Sequence, residues 1–223
     1  MKKSKQMSET LVLALIITFS GGLQDAYTYF ARNHVFANAQ TGNIVLMASK
    51  IFDGEYNDAL RYLCPLIAFM IGIFVAEQIQ GIYKEAKRLH WRQSVLLLEI
   101  ISLFLSGFFT EEQNLIANSL VSFSCAMQVQ AFRSVHGYPY ASTMCIGNMR
   151  AGVSALSHWA RTKSHDSLIK GMHYFAIIII FALGAVTGYG FLSILGMKTI
   201  WISSTLLLIG FLLMFVSEIQ HND

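Results

Sequence analysis

Charge is absent or single across six long apolar windows of the chain. They run over residues 11–31 (Asp25 the one charge), 62–83 (Glu77), 93–110 (Glu99), 113–132, 173–195 and 199–217. A helix that spans a bilayer needs roughly 20 mostly apolar residues, and these windows are of that order. The period-two alternation of a membrane β-barrel is missing. The pattern predicts an all-α integral membrane protein with six full transmembrane helices.

Two further stretches are helical in pattern but too short or too polar to cross. Residues 41–52 read TGNIVLMASKIF and residues 146–157 read IGNMRAGVSALS, with Arg150 inside the second. A twelve-residue helix covers about 18 Å, against about 30 Å of hydrocarbon. The flanking basic residues decide between crossing and returning, because cytoplasmic loops carry the excess of Lys and Arg. If both short segments cross, the flanks divide eight inside to seven outside. If both dip in and return, the split becomes eleven to four. Lys2, Lys3, Lys5, Lys84, Lys87, Arg88, Arg92, Arg133, Arg161, Lys163 and Lys170 then lie inside, and Arg32, Lys50, Arg61 and Lys198 outside. The acidic residues Asp53, Glu55, Asp58, Glu111 and Glu112 also fall outside. Trp91, Trp159 and Trp201 sit at predicted helix ends, where amphipathic rings prefer the interface. The sequence therefore predicts two re-entrant half-helices and two cytoplasmic termini.

The order of elements is full helix, half-helix, full helix, full helix, and then the same again. It divides the single membrane domain, 1–223, into repeats at 7–110 and 111–219. An offset of 105 places Asp25-Ala26 on Gln130-Ala131 and Gly42-Asn43 on Gly147-Asn148, and an offset of 112 places Gly72 and Ala76 on Gly184 and Gly188. Three crossings per repeat invert the second copy relative to the first. Inverted repeats with broken helices recur in transporters and channels.

Composition narrows the class. Of the 223 residues 54% are hydrophobic and 13% charged, with two prolines and a net charge of +3. That charged share is about half of a soluble domain's, which argues against a soluble enzyme, a nucleic-acid-binding protein and a disordered chain. The lysines before the first apolar run imitate a signal peptide, but the run is too long and no small-x-small site closes it. Cys64, Cys125 and Cys145 read as buried free thiols. No metal-binding histidine spacing, phosphate loop, nucleophile elbow or cysteine pair is present, so neither an enzyme nor a metal or other cofactor is expected.

The most specific motif is GGLQDAYTYFARNHVFANAQTGN, residues 21–43. Gly22, Asp25, Ala26, Tyr29, Phe36, Ala37, Asn38, Thr41, Gly42 and Asn43 stand in an arrangement that resembles the YoaK-like family of small bacterial membrane proteins. A second block, Gln130, Ala131, Arg133, Gly147 and Asn148, is similar to that family's, with departures at Val129 and Ile146. The resemblance implies a polytopic, six-helix protein of the bacterial cytoplasmic (inner) membrane. It brings no substrate.

Candidate chemistry centres on Asp25, a carboxylate inside an apolar helix. Such a group points to function by default, the plainer reading being a structural hydrogen bond. Thr41-Gly42-Asn43 reads as the start of a half-helix, with Thr41 or Asn43 capping free amides and with N–H donors that suit anions. Gly147-Asn148 is its counterpart, and Arg150 is expected to pair with Asp25 or to bind an anion. Gly42 and Gly147 are expected to be the tightest points. Glu77 reads as interfacial and Glu99 as a secondary proton-relay candidate. The Gly72/Ala76 and Gly184/Gly188 pairs have helix-contact spacing.

These features predict a small transporter or channel-like permease for a small polar or anionic solute, coupled to protons through Asp25. Asp25, Asn38, Thr41, Gly42, Asn43, Gln130, Gly147, Asn148 and Arg150 would line its path. Its expected partners are the lipid bilayer, the solute and further copies of the chain in a homo-oligomer, with no nucleic acid. The rival reading is a non-transporting membrane sensor or assembly protein that uses its basic loops.

Overall fold

A computed structural model describes residues 10–83, 91–135 and 138–219. Eight α-helices carry most of these residues: α1 (Leu11–Ala31), α2 (Gln40–Phe52), α3 (Tyr56–Tyr83), α4 (Trp91–Ser106), α5 (Asn114–Ala131), α6 (Cys145–Thr162), α7 (His165–Leu195) and α8 (Ile200–Ile219). A two-stranded antiparallel ribbon, β1 (Ser134–Val135) with β2 (Tyr138–Pro139), lies in the α5–α6 connection and has no counterpart in the apolar pattern. Of the charges used to orient the chain, Lys2, Lys3, Lys5, Lys84, Lys87 and Arg88 lie outside the described residues.

The apolar windows match the helices closely where polar residues border them. α1 has the predicted bounds, with Thr10 as its N-cap. α3 and α7 begin six and eight residues before their apolar windows (56 against 62, 165 against 173). Polar turns such as Asn57-Asp58 and Asp166-Ser167 extend these helices past the apolar part. α6 has 18 residues, or about 27 Å, and exceeds the twelve-residue half-helix expected there. Among the described residues three segments are long and apolar enough to cross a membrane: Leu11–Ala31, Tyr56–Tyr83 and His165–Phe215, the last containing α7 and most of α8.

The molecule is apolar outside, and polar side chains share its core with apolar ones. Phe52, Phe74, Val186 and Leu212 are exposed, whereas Ser20, Gln24, Glu99, Ser124, Gln128 and Ser203 are buried. That arrangement is what hydrocarbon as a solvent selects.

Helix pairing follows a repeating scheme. α1 packs on α7 as α5 packs on α3, α2 packs on α3 as α6 does on α7, and α4 packs on α5 as α8 does on α1. α4 and α8 pack on each other. Advancing every label by four, with return from α8 to α1, maps the scheme onto itself.

Small residues make the closest pairs possible. A Cβ on Gly184 would stand 2.0 Å from the Phe19 carbonyl oxygen, and one on Gly188 2.9 Å from that of Leu23. In the other half a Cβ on Gly72 would stand 2.4 Å from the Phe123 carbonyl oxygen. Both expected small-residue pairs are thus helix contacts. The rising numbers make α1 and α7 parallel. Gly72 against Phe123 and Glu77 against Arg133 make α3 and α5 parallel. Cys125 meets Gln24 while Gln128 meets Ile17, so α1 and α5 are antiparallel.

Candidate functional site

Ser20, Gln24 and Thr28 follow one another at four-residue spacing and form a polar stripe along α1. Gln24 anchors it. Its Nε2 donates to Ser20 Oγ at 2.9 Å and to Ser203 Oγ of α8 at 3.1 Å. Its Oε1 accepts from Cys125 Sγ of α5 at 2.7 Å. Ser20 and Ser203 are themselves in hydrogen-bond contact. Ser124 donates to the carbonyl of Glu99 at 3.3 Å, which ties α5 to α4. Polar side chains of α1, α4, α5 and α8 therefore meet at the centre of the fold.

Two chain segments turn back into this centre. After α1 ends at Ala31, the linker returns until Asn38 Nδ2 donates to the Gly21 carbonyl at 3.3 Å. Gly21 lies ten residues before the helix end, or about 15 Å along the axis. On the other side the α5–α6 linker returns until Ser142 Oγ accepts from Gln128 Nε2 at 2.8 Å. Its next residue, Thr143, places Cγ2 2.6 Å from where a Cβ of Gly21 would sit. Both linkers thus reach Gly21. Side-chain atoms here lack hydrogen-bond partners among the described residues although they are buried: Asn38 Oδ1, Gln128 Oε1, Thr143 Oγ1 and both carboxyl oxygens of Glu99.

Each returning segment is held by one asparagine. Asn43 Oδ1 accepts from Phe36 N at 3.0 Å, and its Nδ2 donates to Phe36 O at 2.7 Å. Asn148 does the same to Ala141, at 3.3 and 2.7 Å. These bonds satisfy an extended backbone that has no strand partner, as buried peptide groups require. The helices they precede are left without side-chain caps, at Ala39 for α2 and Met144 for α6.

Asp25 is half-buried at the edge of this cluster. Its Oδ1 accepts from the Asn38 backbone N–H at 2.8 Å, and it lies within electrostatic range of Cys125 and Cys145. Arg150 is exposed. The expected Asp25–Arg150 pairing is therefore replaced by a tie to the linker, because Arg150 faces away from the core on amphipathic α6.

The other expected site residues divide. Asn38, Asn43 and Asn148 are buried, Gln130 and Gly42 are half-buried, and Thr41 and Gly147 are exposed. Thr41 and Asn43 do not cap α2, since Asn43 turns back to Phe36 instead. A Cβ on Gly42 would meet the Phe36 ring at 3.1 Å, but nothing stands within 4 Å of one on Gly147. The expectation that these two glycines are the tightest points fails: a Cβ on Gly21 would stand 2.6 Å from Thr143 Cγ2, closer than the contact at Gly42, and nothing stands within 4 Å at Gly147, whose helix begins at an open surface.

Arg32 closes the end of the core at which α1 finishes. It is fully buried and gives all five N–H groups to neutral acceptors. Nε and Nη2 reach Tyr27 Oη at 2.8 and 2.6 Å, Nη1 reaches Thr110 O and Asn114 Oδ1 at 2.9 Å, and Nη2 also reaches Ser106 O and Phe109 O at 3.0 and 2.9 Å. Beside it lies a cavity of about 410 Å³ lined by Asn33, His34, Glu111, Asn114 and Gly196 among others. A second, apolar cavity between α3 and α5 is lined by Cys64, Ile71 and Phe123 among others. Asp25 lines neither.

The central residues Gln24, Gln128, Ser20, Ser124 and Ser203 were not singled out by the sequence reading. A signal for them exists at an offset of 104, where Thr18-Phe19-Ser20-Gly21-Gly22-Leu23-Gln24 aligns with Ser122-Phe123-Ser124-Cys125-Ala126-Met127-Gln128. One extra residue at Val129 shifts the later register to 105. The same offset of 104 relates Glu99 to Ser203.

Comparison with known proteins gives a family but no solved relative. The family model described as Protein of unknown function (DUF1275) matches residues 13–213. The chain is 25% identical over 187 residues to the "UPF0700 transmembrane protein YoaK" of Bacillus subtilis (strain 168), covering 78% of this chain and 80% of that protein. No solved structure matches.

Proposed function

The chain belongs to the DUF1275 family of proteins of unknown function, and we propose that it is a small transporter or channel-like permease for a small polar or anionic solute. It sits in the cytoplasmic membrane of a bacterium as two inverted repeats, 7–110 and 111–219, with six crossings and both termini inside. The antiparallel run of α1 against α5 and the repeating scheme of helix pairs support the inversion. The antiparallel run of α1 against α5, combined with α3 parallel to α5 and α7 parallel to α1, supports the re-entrant reading of α2 and α6, since α1 then ends on the face where α3 starts and α5 on the face where α7 starts.

One observation carries the transport reading. Two linkers return from opposite ends of the molecule to Gly21, and the polar atoms they bring there are buried and incompletely partnered. Irregular backbone at membrane depth is tolerated where protein buries it or where it lines a cavity. A permanent structural role would favour full satisfaction of these atoms, whereas a solute that takes their place in turn needs free acceptors and hydroxyls. The uncapped starts of α2 and α6 add N–H donors, which favours polar or anionic groups. In this arrangement the path is closed on the outside by Arg32 and Tyr27.

The test is a thermal-shift screen of the purified protein against anions and small polar metabolites, followed by uptake of the best hit into proteoliposomes. Ligand-dependent stabilisation and uptake, both lost on blocking the linkers at Gly21 with Gly21→Val, are the expected results. A protein that neither binds nor moves any of them fits the rival sensor or assembly role.

A further inference from the structure

The carboxyl group of Glu99 is the least explained group in the molecule. It lies eight residues into α4, about 12 Å from that helix's start, and its residue is fully buried. Neither oxygen has a hydrogen-bond partner among the described residues. The nearest polar side chain is Gln24, but both N–H groups of Gln24 are committed to Ser20 and Ser203. Its Oε1 already accepts from Cys125 Sγ at 2.7 Å.

Among the described residues no basic side chain is paired with Glu99. On the helices packed around α4, the titratable or charged groups facing this region are Asp25 of α1 and Cys125 of α5. α8 presents the hydroxyls of Ser203 and Ser204. On α3, Arg61 pairs with Asp58, and Glu77 pairs with Arg133. On α4 itself, Arg92 donates to the Ala131 carbonyl at 3.0 Å. An isolated ionised carboxylate in such a medium is among the most expensive groups to bury.

The corresponding place in the other half of the chain holds no acid. Position 203, the counterpart of 99 at the offset of 104, holds a serine that bonds to Ser20 and Gln24. A neutral hydroxyl satisfies the same position in the other half. The acid on α4 is thus an added charge relative to its counterpart.

We propose that the unpartnered carboxyl group of Glu99, beside Gln24, is the binding site of a monovalent cation, a proton or a sodium ion, that neutralises the carboxylate inside the membrane. Sodium is bound by oxygen ligands and a proton by one carboxyl oxygen, so the two share a site and compete for it. The chain of polar groups Glu99, Gln24, Cys125, Asn38 and Asp25 connects this site to the edge of the core. The inference rests on the surroundings of Glu99 and stands whether or not the protein transports a solute.

Infrared spectra of the purified full-length protein in detergent, recorded in choline chloride and then in sodium chloride, test it. Glu99→Gln and Glu99→Asp assign the band, the second by its shift if the first fails to fold. A carboxylic-acid band of Glu99 that is present in both salts identifies the proton. A carboxylate band that responds to sodium, together with a sodium-dependent rise in melting temperature that the wild type shows and Glu99→Gln loses, identifies the sodium ion. An ionised Glu99 that ignores sodium overturns the proposal, because its countercharge must then come from the protein. Uptake assays are not part of this test, so failure of the transport reading leaves it intact.

Discussion

Asn43 and Asn148 make the same contact in the two halves of the chain: each clamps the backbone N–H and C=O of the residue seven positions before it, Phe36 and Ala141 respectively. Removing either amide leaves two buried peptide groups unmet, at about 1–3 kcal/mol each. Asn43→Ala and Asn148→Ala should each lower stability by roughly 2–4 kcal/mol. Asn→Asp keeps the acceptor and loses the donor, so it should fall between. Melting curves in detergent measure all four, and a tolerated Asn148→Ala beside a damaging Asn43→Ala would mean that the two clamps are not equivalent.

The glycines separate into packing and open positions. Gly72→Ala sets a methyl group 2.4 Å from the Phe123 carbonyl oxygen and cannot be accommodated without parting α3 from α5. Gly22→Ala meets the Phe181 carbonyl oxygen at 2.0 Å and should part α1 from α7. Gly147→Ala meets nothing within 4 Å and should gain up to roughly 0.5–1 kcal/mol from helix propensity. Yield and melting temperature of the three variants decide this. A destabilised Gly147→Ala would reveal a neighbour that the fold lacks.

Much of this architecture was legible in the sequence, for a physical reason. Lipid demands long uncharged helices, so the bounds of α1 follow from hydropathy, and the small residues at 72, 76, 184 and 188 declare their contacts. The asparagines were legible as important but not in their role. Local capping rules point Asn43 forward into α2, whereas the unpaired backbone at Phe36 turns it back. In the sequence Arg32 counts only as one of the flanking charges expected outside. Four of its five acceptors lie 74 to 82 residues away at the α4–α5 connection, and no local pattern encodes such a meeting. The central cluster of Gln24 and Gln128 was hidden by a one-residue change of register, since neutral polar residues raise no alarm in an apolar window.

Arg32 is expected to be the outer lock of the core. Lysine has three donors against five, so Arg32→Lys abandons two buried acceptors and should cost roughly 2–4 kcal/mol. Tyr27→Phe removes one acceptor and should cost roughly 1–3 kcal/mol. The two effects should be less than additive because they share a bond. A double-mutant cycle on thermal unfolding gives the coupling, and full additivity would show that Arg32 and Tyr27 act independently.

Side-specific labelling tests the topology. In a background with Cys64, Cys125 and Cys145 replaced by alanine, single cysteines at Glu55 and Glu111 should react with an impermeant maleimide on intact cells. A cysteine at Lys163 should react only after permeabilisation. If cysteines at 55 and 163 were labelled from the same side, α6 would have to cross, and α7 could then not run parallel to α1 while α1 runs antiparallel to α5.

Asp25 offers the sharpest separation of structure from function. Its carboxylate holds the Asn38 backbone N–H at 2.8 Å, and Asn38 in turn holds the Gly21 carbonyl. An asparagine at position 25 keeps an oxygen able to accept from the same N–H, and it changes the charge but hardly the shape. Asp25→Asn should therefore insert and fold, with stability within about 1 kcal/mol of the parent, since one neutral hydrogen bond replaces one charge-assisted bond. Asp25→Ala removes the acceptor and should release the linker, at roughly 1–3 kcal/mol. If the charge serves the solute or its coupling, Asp25→Asn loses the ligand-induced rise in melting temperature, or the pH dependence of uptake, while keeping the fold. If the carboxylate is only a tie for the linker, Asp25→Asn responds to ligand like the parent and Asp25→Ala alone is impaired. Measuring both variants with and without ligand assigns the residue to one role.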